Sequence, residues 1–197
     1  MKRQLVSFLF SVTLLISCSH TNKLSEKDYK WMPYTGNETL VFRSNAGIGD
    51  TVFLLKKDTL LGYADPLSPF GVQYEVLSVF AKYTDPTEGE HRYFENNFFQ
   101  INKGKDKLAE LDIFFSAADA TFYRSSKIKL DSLDKENPSM LQTQHGNYYD
   151  VYVFYGEDEL GYGQRSNFIT KIYWSKSNGL IRYDKKDSVY WELAKKW

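Results

Sequence analysis

The chain has 197 residues, with 25 Lys+Arg against 25 Asp+Glu, and 17% of it is aromatic. A net charge of zero argues against nucleic acid as a partner and against electrostatic docking on a membrane. The single cysteine excludes a disulfide framework, and the length suits one globular domain.

Lys2 and Arg3 open the chain, and an apolar run from Leu5 to Ile16 follows, broken only by Ser7, Ser11 and Thr13. A charged start, a short apolar stretch and small Ser17 describe a secretory signal peptide. The run is shorter than the about 20 residues that a permanent transmembrane helix needs. The order Leu15-Ile16-Ser17-Cys18 resembles the lipobox of bacterial lipoproteins. In that family the cysteine thiol accepts the lipid and the chain is cut just before it. The resemblance implies that residues 1–17 are removed and that Cys18 carries the membrane anchor, palmitate being the typical acyl chain. A buried free thiol is the competing reading of a lone cysteine, but the position at the end of a signal sequence favours the lipid. Without Lys2 and Arg3, 23 Lys+Arg face 25 Asp+Glu, a net of −2, so the anchor is covalent rather than electrostatic.

Residues Ser19 to Lys30 are polar with scattered charge. With Cys18 they read as a lipidated cysteine and polar tether over 18–30, with a root-mean-square reach of about 20 Å. In related lipoproteins a serine at the position of Ser19 does not retain the protein at the inner membrane. Surface-exported lipoproteins of Bacteroidota often carry an acidic run there, and residues 19–23 lack one. Together these features favour the outer membrane, facing the periplasm.

Residues 31–197 read as a single β-rich domain. Apolar runs of period two recur between turn residues. Glu38–Ser44 and Thr51–Lys57 flank the glycine-rich NAGIGD and predict a hairpin. Gly71–Tyr83 places Val72, Tyr74 and Val76 on one face and Leu77, Val79 and Ala81 on the other, which predicts a bulge near Leu77–Ser78. DPTEGE is a loop. Arg92–Asn102 and Lys107–Ser116 flank KGKD and predict the next hairpin. Ser125–Leu130 is a further candidate strand, Asp131–Gly146 a polar stretch with room for one helical turn, and Tyr148–Tyr155 the most clearly patterned strand. Near the end, Asn178-Gly179 predicts a two-residue turn with Trp174 opposite Tyr183. A three-residue loop at Lys186-Asp187-Ser188 then puts Val189, Trp191 and Leu193 on the face of Ile172, Trp174, Ile181 and Tyr183. The expected fold is all-β with minor helix, mainly an antiparallel meander curved into an open half-barrel, barrel or sandwich.

WMPYTGNETLVFRSNAGIGDT (31–51) and ITKIYWSKSNGLIRYDKKDSVYWEL (169–193) resemble segments of small Bacteroidota lipoproteins with no assigned function. Where these relatives usually place glycine in the last turn, this chain has Ser188. The resemblance implies a lipoprotein and a β-rich fold, and it carries no catalytic residues.

No stretch spells out a chemistry. His20, His91 and His145 lack His or Cys partners at metal spacing. Glu157-Asp158-Glu159 and Asp85/Glu88/Glu90 are acidic clusters whose simplest reading is solvated turns rather than calcium loops. There is no G-x-S-x-G, P-loop or H-E-x-x-H motif. Gly161-Tyr162-Gly163 reads as a flexible connection, and nothing favours Asp150 with His145 as a catalytic pair. Trp174, Trp191, Tyr183 and Phe115 fit a core. Trp31, Tyr34, Tyr148, Tyr162 and Tyr190 either pack as well or, if exposed on the sheet, stack on sugar rings or line an apolar cavity. The expected role is a membrane-anchored binding or accessory module without cofactor or metal, its ligand a protein, glycan or lipid. A structural assembly protein is the alternative, and a hydrolase with a site assembled from distant residues the third.

Overall fold

The computed structural model describes residues 21–63, 71–83, 95–104, 106–117, 120–124, 126–158 and 161–197. Fourteen strands follow in chain order: β1 (Thr21–Asn22), β2 (Thr39–Ser44), β3 (Gly49–Tyr63), β4 (Gln73–Tyr83), β5 (Glu95–Lys103), β6 (Ala109–Ile113), β7 (Ser116–Ala117), β8 (Ala120–Thr121), β9 (Ile128–Lys129), β10 (Ser139–Thr143), β11 (Gly146–Tyr155), β12 (Ile169–Ser175), β13 (Gly179–Lys185) and β14 (Tyr190–Lys196). Two single-turn helices, α1 (Glu26–Tyr29) and α2 (Leu130–Leu133), and a 3₁₀ turn at Tyr162–Gln164 are the other elements among the described residues. Strand makes up 57% and helix 7% of the fold, an open, strongly curled antiparallel half-barrel.

The sheet runs β10-β11-β12-β13-β14-β2-β3-β4-β5-β6-β9, with β1 added in parallel to β4. Its curl is visible in the ring contacts. Phe99 of β5 stacks on Trp174 of β12 with centroids 3.9 Å apart, although β13, β14, β2, β3 and β4 lie between those strands in the sheet. Phe115 meets Tyr183 at 4.8 Å and Phe42 at 6.3 Å. Alternating residues supply this core: Leu77, Val79 and Ala81 of β4, Phe99 and Ile101 of β5, and Ala109, Leu111 and Ile113 of β6 all point inward and are buried.

The expected first hairpin forms as β2 and β3, but β4 contains no bulge. Its pairing with β3 and β5 shifts where the neighbours carry an extra residue, at Leu55 and at Phe98. The change of apolar phase in β4 has another cause: Tyr74 and Val76 face outward and line a groove. Asp131–Gly146 supplies α2, as expected for a single turn, and also the edge strand β10, which its polar composition hides. The predicted strand Ser125–Leu130 shrinks to β9, because α2 begins at Leu130.

Thr21 to Lys30, expected as part of the tether, packs against the domain. Ser25 caps α1: its backbone N–H donates to Asp28 Oδ2 at 2.8 Å, and its hydroxyl accepts from the Asp28 N–H at 3.3 Å. Lys103 Nζ holds the same Asp28 carboxylate at 2.9 Å, with the Asp28 side chain only 5% exposed. Burial would push the Asp28 carboxyl up, but the Ser25 and Lys103 hydrogen bonds outweigh it and hold it below the ordinary range. Beyond α1, Trp31 and Tyr34 are fully buried core residues rather than exposed aromatics. Trp31 donates to Asp134 Oδ1 at 3.2 Å and meets Tyr152 at 4.7 Å.

Tyr34 also sets the register of the last meander. Its hydroxyl accepts the Leu180 N–H at 2.8 Å, and a Cβ on Gly179 (φ +87°) would overlap its ring. The connection after β12 is therefore wider than the expected two-residue turn. Ser175 pairs with Gly179, Trp174 with Leu180, and Tyr183 with Ile172, with an irregularity between Tyr173 and Trp174. The next turn has the expected three-residue form. Lys185 donates to Val189 O at 2.8 Å, and Ser188 takes φ 65°, the left-handed conformation that glycine adopts without cost. Trp191 and Leu193 are buried, and Tyr190 is half-exposed on the other face.

Candidate functional site

The outer faces of β3–β6 form a groove with a cavity volume of about 600 Å³, within the range of small-ligand sites. Its position follows from strand alternation. Phe99 and Ile101 point into the core, so Gln100 and Asn102 point out; Leu111 points in, so Glu110 and Asp112 point out. Register does the rest, pairing Gln100 with Asp112, Asn102 with Glu110 and Val76 with Asn102. Gly62 lies opposite Tyr74, and a Cβ there would stand 3.1 Å from the tyrosine ring, so the missing side chain leaves space for that ring. Tyr74 and Val76 make the apolar side of the groove, and Gly104, Asp106 and Lys127 complete its lining.

The polar groups are partly paired and partly open. Asn102 Nδ2 donates to Asp112 Oδ2 at 2.8 Å, and Lys127 Nζ donates to Glu110 Oε2 at 2.8 Å. Burial raises the Asp112 carboxyl above its ordinary value, and the charge of Glu110 adds to this; Lys127 and Asn102 oppose it without cancelling it. Lys127 is raised by its hydrogen bond to Glu110. Among the described residues, the Gln100 amide and the Tyr74 hydroxyl have no side-chain hydrogen-bond partner within the fold. The groove thus lines one cavity with donors, acceptors and an aromatic ring, groups able to interact with a hydroxyl-rich ligand.

A second cleft, of about 410 Å³, lies at the open seam of the half-barrel, where Ile128, Lys129 and Leu133 face Val153–Tyr155 of β11. Hydrogen bonds also cross this seam. Arg124 Nη1 donates to Tyr155 O at 3.1 Å, Glu157 N–H to Tyr123 O at 2.8 Å, and Ser126 Oγ to Glu157 Oε1.

The residues singled out from sequence scatter. Cys18, His20, His91, Asp85, Glu88, Glu90 and Glu159 lie outside the described residues. His145 is exposed in the β10–β11 turn. Asp150 accepts from Ser175 Oγ at 2.6 Å and from the Ser177 N–H at 2.7 Å, which fixes the β12–β13 turn and leaves it no part with His145. Glu157 belongs to the seam. Gly161 has φ 73° and leads into the 3₁₀ turn, where Lys186 Nζ donates to Gly163 O at 2.6 Å, so this connection is tied down. Tyr190 lies under Arg182, whose guanidinium carbon is 3.9 Å from the ring centroid. Tyr148 is half-buried. Among the described residues, no group of three or more His, Cys, Asp or Glu could hold a metal ion, and no helix is long and apolar enough to cross a membrane.

Sequence reasoning missed Gln100, Asn102, Glu110, Asp112 and Lys127 as a site. The available signal was β4, whose outward side is apolar at Tyr74 and Val76, and β6, whose outward side carries two carboxylates. Comparison with protein-family models, with curated proteins and with solved structures finds no match for this chain.

Proposed function

We propose that the protein is a lipoprotein anchored through Cys18 to the outer membrane, facing the periplasm, and that its domain is a binding module. The lipobox-like Leu15-Ile16-Ser17-Cys18 supports the anchor. The groove on β3–β6 supports binding, and the single observation that carries it is the unpartnered Gln100 amide lining the same cleft of about 600 Å³ as the Tyr74 ring. Amide and carboxylate groups exchange paired hydrogen bonds with neighbouring hydroxyls, and an aromatic ring stacks on the C–H face of a sugar. The ligand class is therefore a neutral glycan.

Calorimetric titration of the purified chain with a panel of neutral oligosaccharides tests this. Binding to at least one member, lost in Gln100→Ala, is the expected result. No binding across the panel overturns the glycan assignment. The second reading, assembly through a sheet edge, is favoured by one observation: β10 is an edge strand and its Met140 is 65% exposed. Sedimentation at rising concentration separates the two, since only assembly through β10 is abolished by Met140→Lys.

A further inference from the structure

The far end of the β3–β4 ribbon exposes large apolar side chains on both faces, Glu75 and Gln73 sharing one of them, and lies beside β1. β2 pairs with β3 only as far as Phe53, and β5 pairs with β4 only from Val76 onward. Leu60–Tyr63 and Gln73–Glu75 thus run on past β2 and β5; among the described residues β1 pairs with Gln73 and Tyr74, and the Leu24 N–H and the Tyr29 hydroxyl donate to the Glu75 carboxylate. Leu60 is 52% exposed, Leu61 55%, Tyr63 44% and Val72 40%. Leu60 pairs with Val76 and shares the groove face, whereas Leu61 and Tyr63 pair with Glu75 and Gln73 on the opposite face.

β1 runs parallel to β4, with Thr21 opposite Gln73 and Asn22 opposite Tyr74. Thr21, the first described residue, thus lies beside Gln73, next in sequence to Val72 at the ribbon's end. Only Ser19 and His20 lie between Cys18 and Thr21, a Cα span of at most about 11 Å. A lipid on Cys18 would hold this end of the ribbon at the bilayer surface. Large apolar groups on both sides of a two-stranded ribbon are not covered by one flat protein surface; a fluid apolar medium surrounds both, and a tyrosine suits its polar boundary.

We infer that the end of the β3–β4 ribbon inserts its Leu60, Leu61, Tyr63 and Val72 side chains into the interfacial layer of the membrane that holds the anchor. This rests on the reading of Cys18 as lipidated. The domain is then seated on the membrane by two adjacent attachments, with the groove opening beside the lipid headgroups.

The test uses the full lipidated chain, reconstituted into phosphatidylethanolamine–phosphatidylglycerol vesicles. Cys18 is the only native cysteine, so once lipidated it leaves Leu61→Cys, Val72→Cys and, as a reference on β10, Met140→Cys as single sites for a bimane label. Lipids carrying headgroup or shallow acyl nitroxides are expected to quench both ribbon labels severalfold more than the Met140→Cys label. Equal quenching at all three sites overturns the inference. Ribbon labels that are shielded from water but not quenched by lipid also overturn it, and assign the patch to a second copy or another protein. Mass analysis of the same samples separates the two readings. A chain without lipid on Cys18 overturns the anchor and the inference together, whereas a lipidated chain with ribbon labels in water overturns the inference alone.

Discussion

Two polar clusters lie on the outer face of the sheet, built from similar residues and differing in how their hydrogen bonds close. On β12–β14, Arg182 Nε donates to Asp184 Oδ1 at 2.7 Å and Nη1 to Glu192 Oε1 at 3.3 Å. Tyr173 donates to the other Asp184 oxygen at 2.9 Å, and the Gln144 N–H to the other Glu192 oxygen at 3.1 Å. Burial, with the Asp184 hydrogen bond second, pushes the Tyr173 hydroxyl up to about 12. All four carboxylate oxygens have partners inside the fold. On β4–β6 the carboxylates are also paired, but the Gln100 amide and Tyr74 hydroxyl are left over, beside a cavity. A cluster that satisfies itself holds the sheet together; one with spare donors and acceptors can satisfy a ligand.

The largest expected effect fixes the scale for the first cluster. Trp191, one residue from Glu192 on the inner face, stacks on Tyr183 at 5.9 Å. Trp191→Ala is expected to lower stability by about 3–5 kcal/mol, read from denaturant midpoints. Arg182→Ala comes next, at about 2–3 kcal/mol, because it strands the buried Glu192 and half-buried Asp184 carboxylates. A change under about 0.5 kcal/mol, ordinary for a surface position, would mean that the cluster is not structural. Tyr190→Ala loses mainly the ring under Arg182 and should cost less than about 1 kcal/mol. If Tyr190→Ala were more damaging than Trp191→Ala, the register of β14 would be wrong.

The groove should respond in the opposite sense. Gln100→Ala is expected to change stability by under about 0.5 kcal/mol while abolishing oligosaccharide binding. A large loss of stability with binding intact would make the groove a packing feature.

The smallest effects are in pH dependence, and the two regions of the chain again differ in sign. Asp28 has a folded pKa below its ordinary 3.8, so its stabilisation is present above that value and fades as pH falls through the folded one. Asp28→Asn should therefore flatten the acid limb of the stability profile. Asp112 has a folded pKa above 3.8, so its ionisation costs stability as pH rises from 3.8 through the folded value. Asp112→Asn should unfold at a higher denaturant concentration than the parent at neutral pH and at the same one in acid. Equal midpoints at both pH values would remove the case for a destabilising carboxylate at Asp112.

Much of the sheet was legible in the sequence because period-two alternation reports which face is buried. It served well for β2, β5, β6, β11 and the Lys186-Asp187-Ser188 loop. It failed where a distant segment decides the outcome. The β12–β13 connection depends on Tyr34, 146 residues from Leu180, and no local pattern at Asn178-Gly179 carries that information. α1 had a local signal, Ser25 with Asp28 three residues on, which composition masked as tether. The groove was hardly legible at all: Gln100 and Asn102 are ordinary outward residues until four strands are placed in register beside Tyr74 and Glu110.

One feature of the strand order bears on how the domain holds together. β2, the first long strand, sits at the middle of the sheet, with β3 on one side and β14, the last strand, on the other. Thr39 and Trp197 exchange backbone hydrogen bonds at 2.8 and 3.3 Å, so the end of the chain is bonded close to the start of the domain. β2 to β6 and β9 pair among themselves, whereas the β10–β13 half is joined to them through β14, a strand of seven residues. The joint between the two halves is the β14–β2 ladder. Loss of the C-terminal strand is therefore a lesion that divides the barrel rather than one that trims its edge.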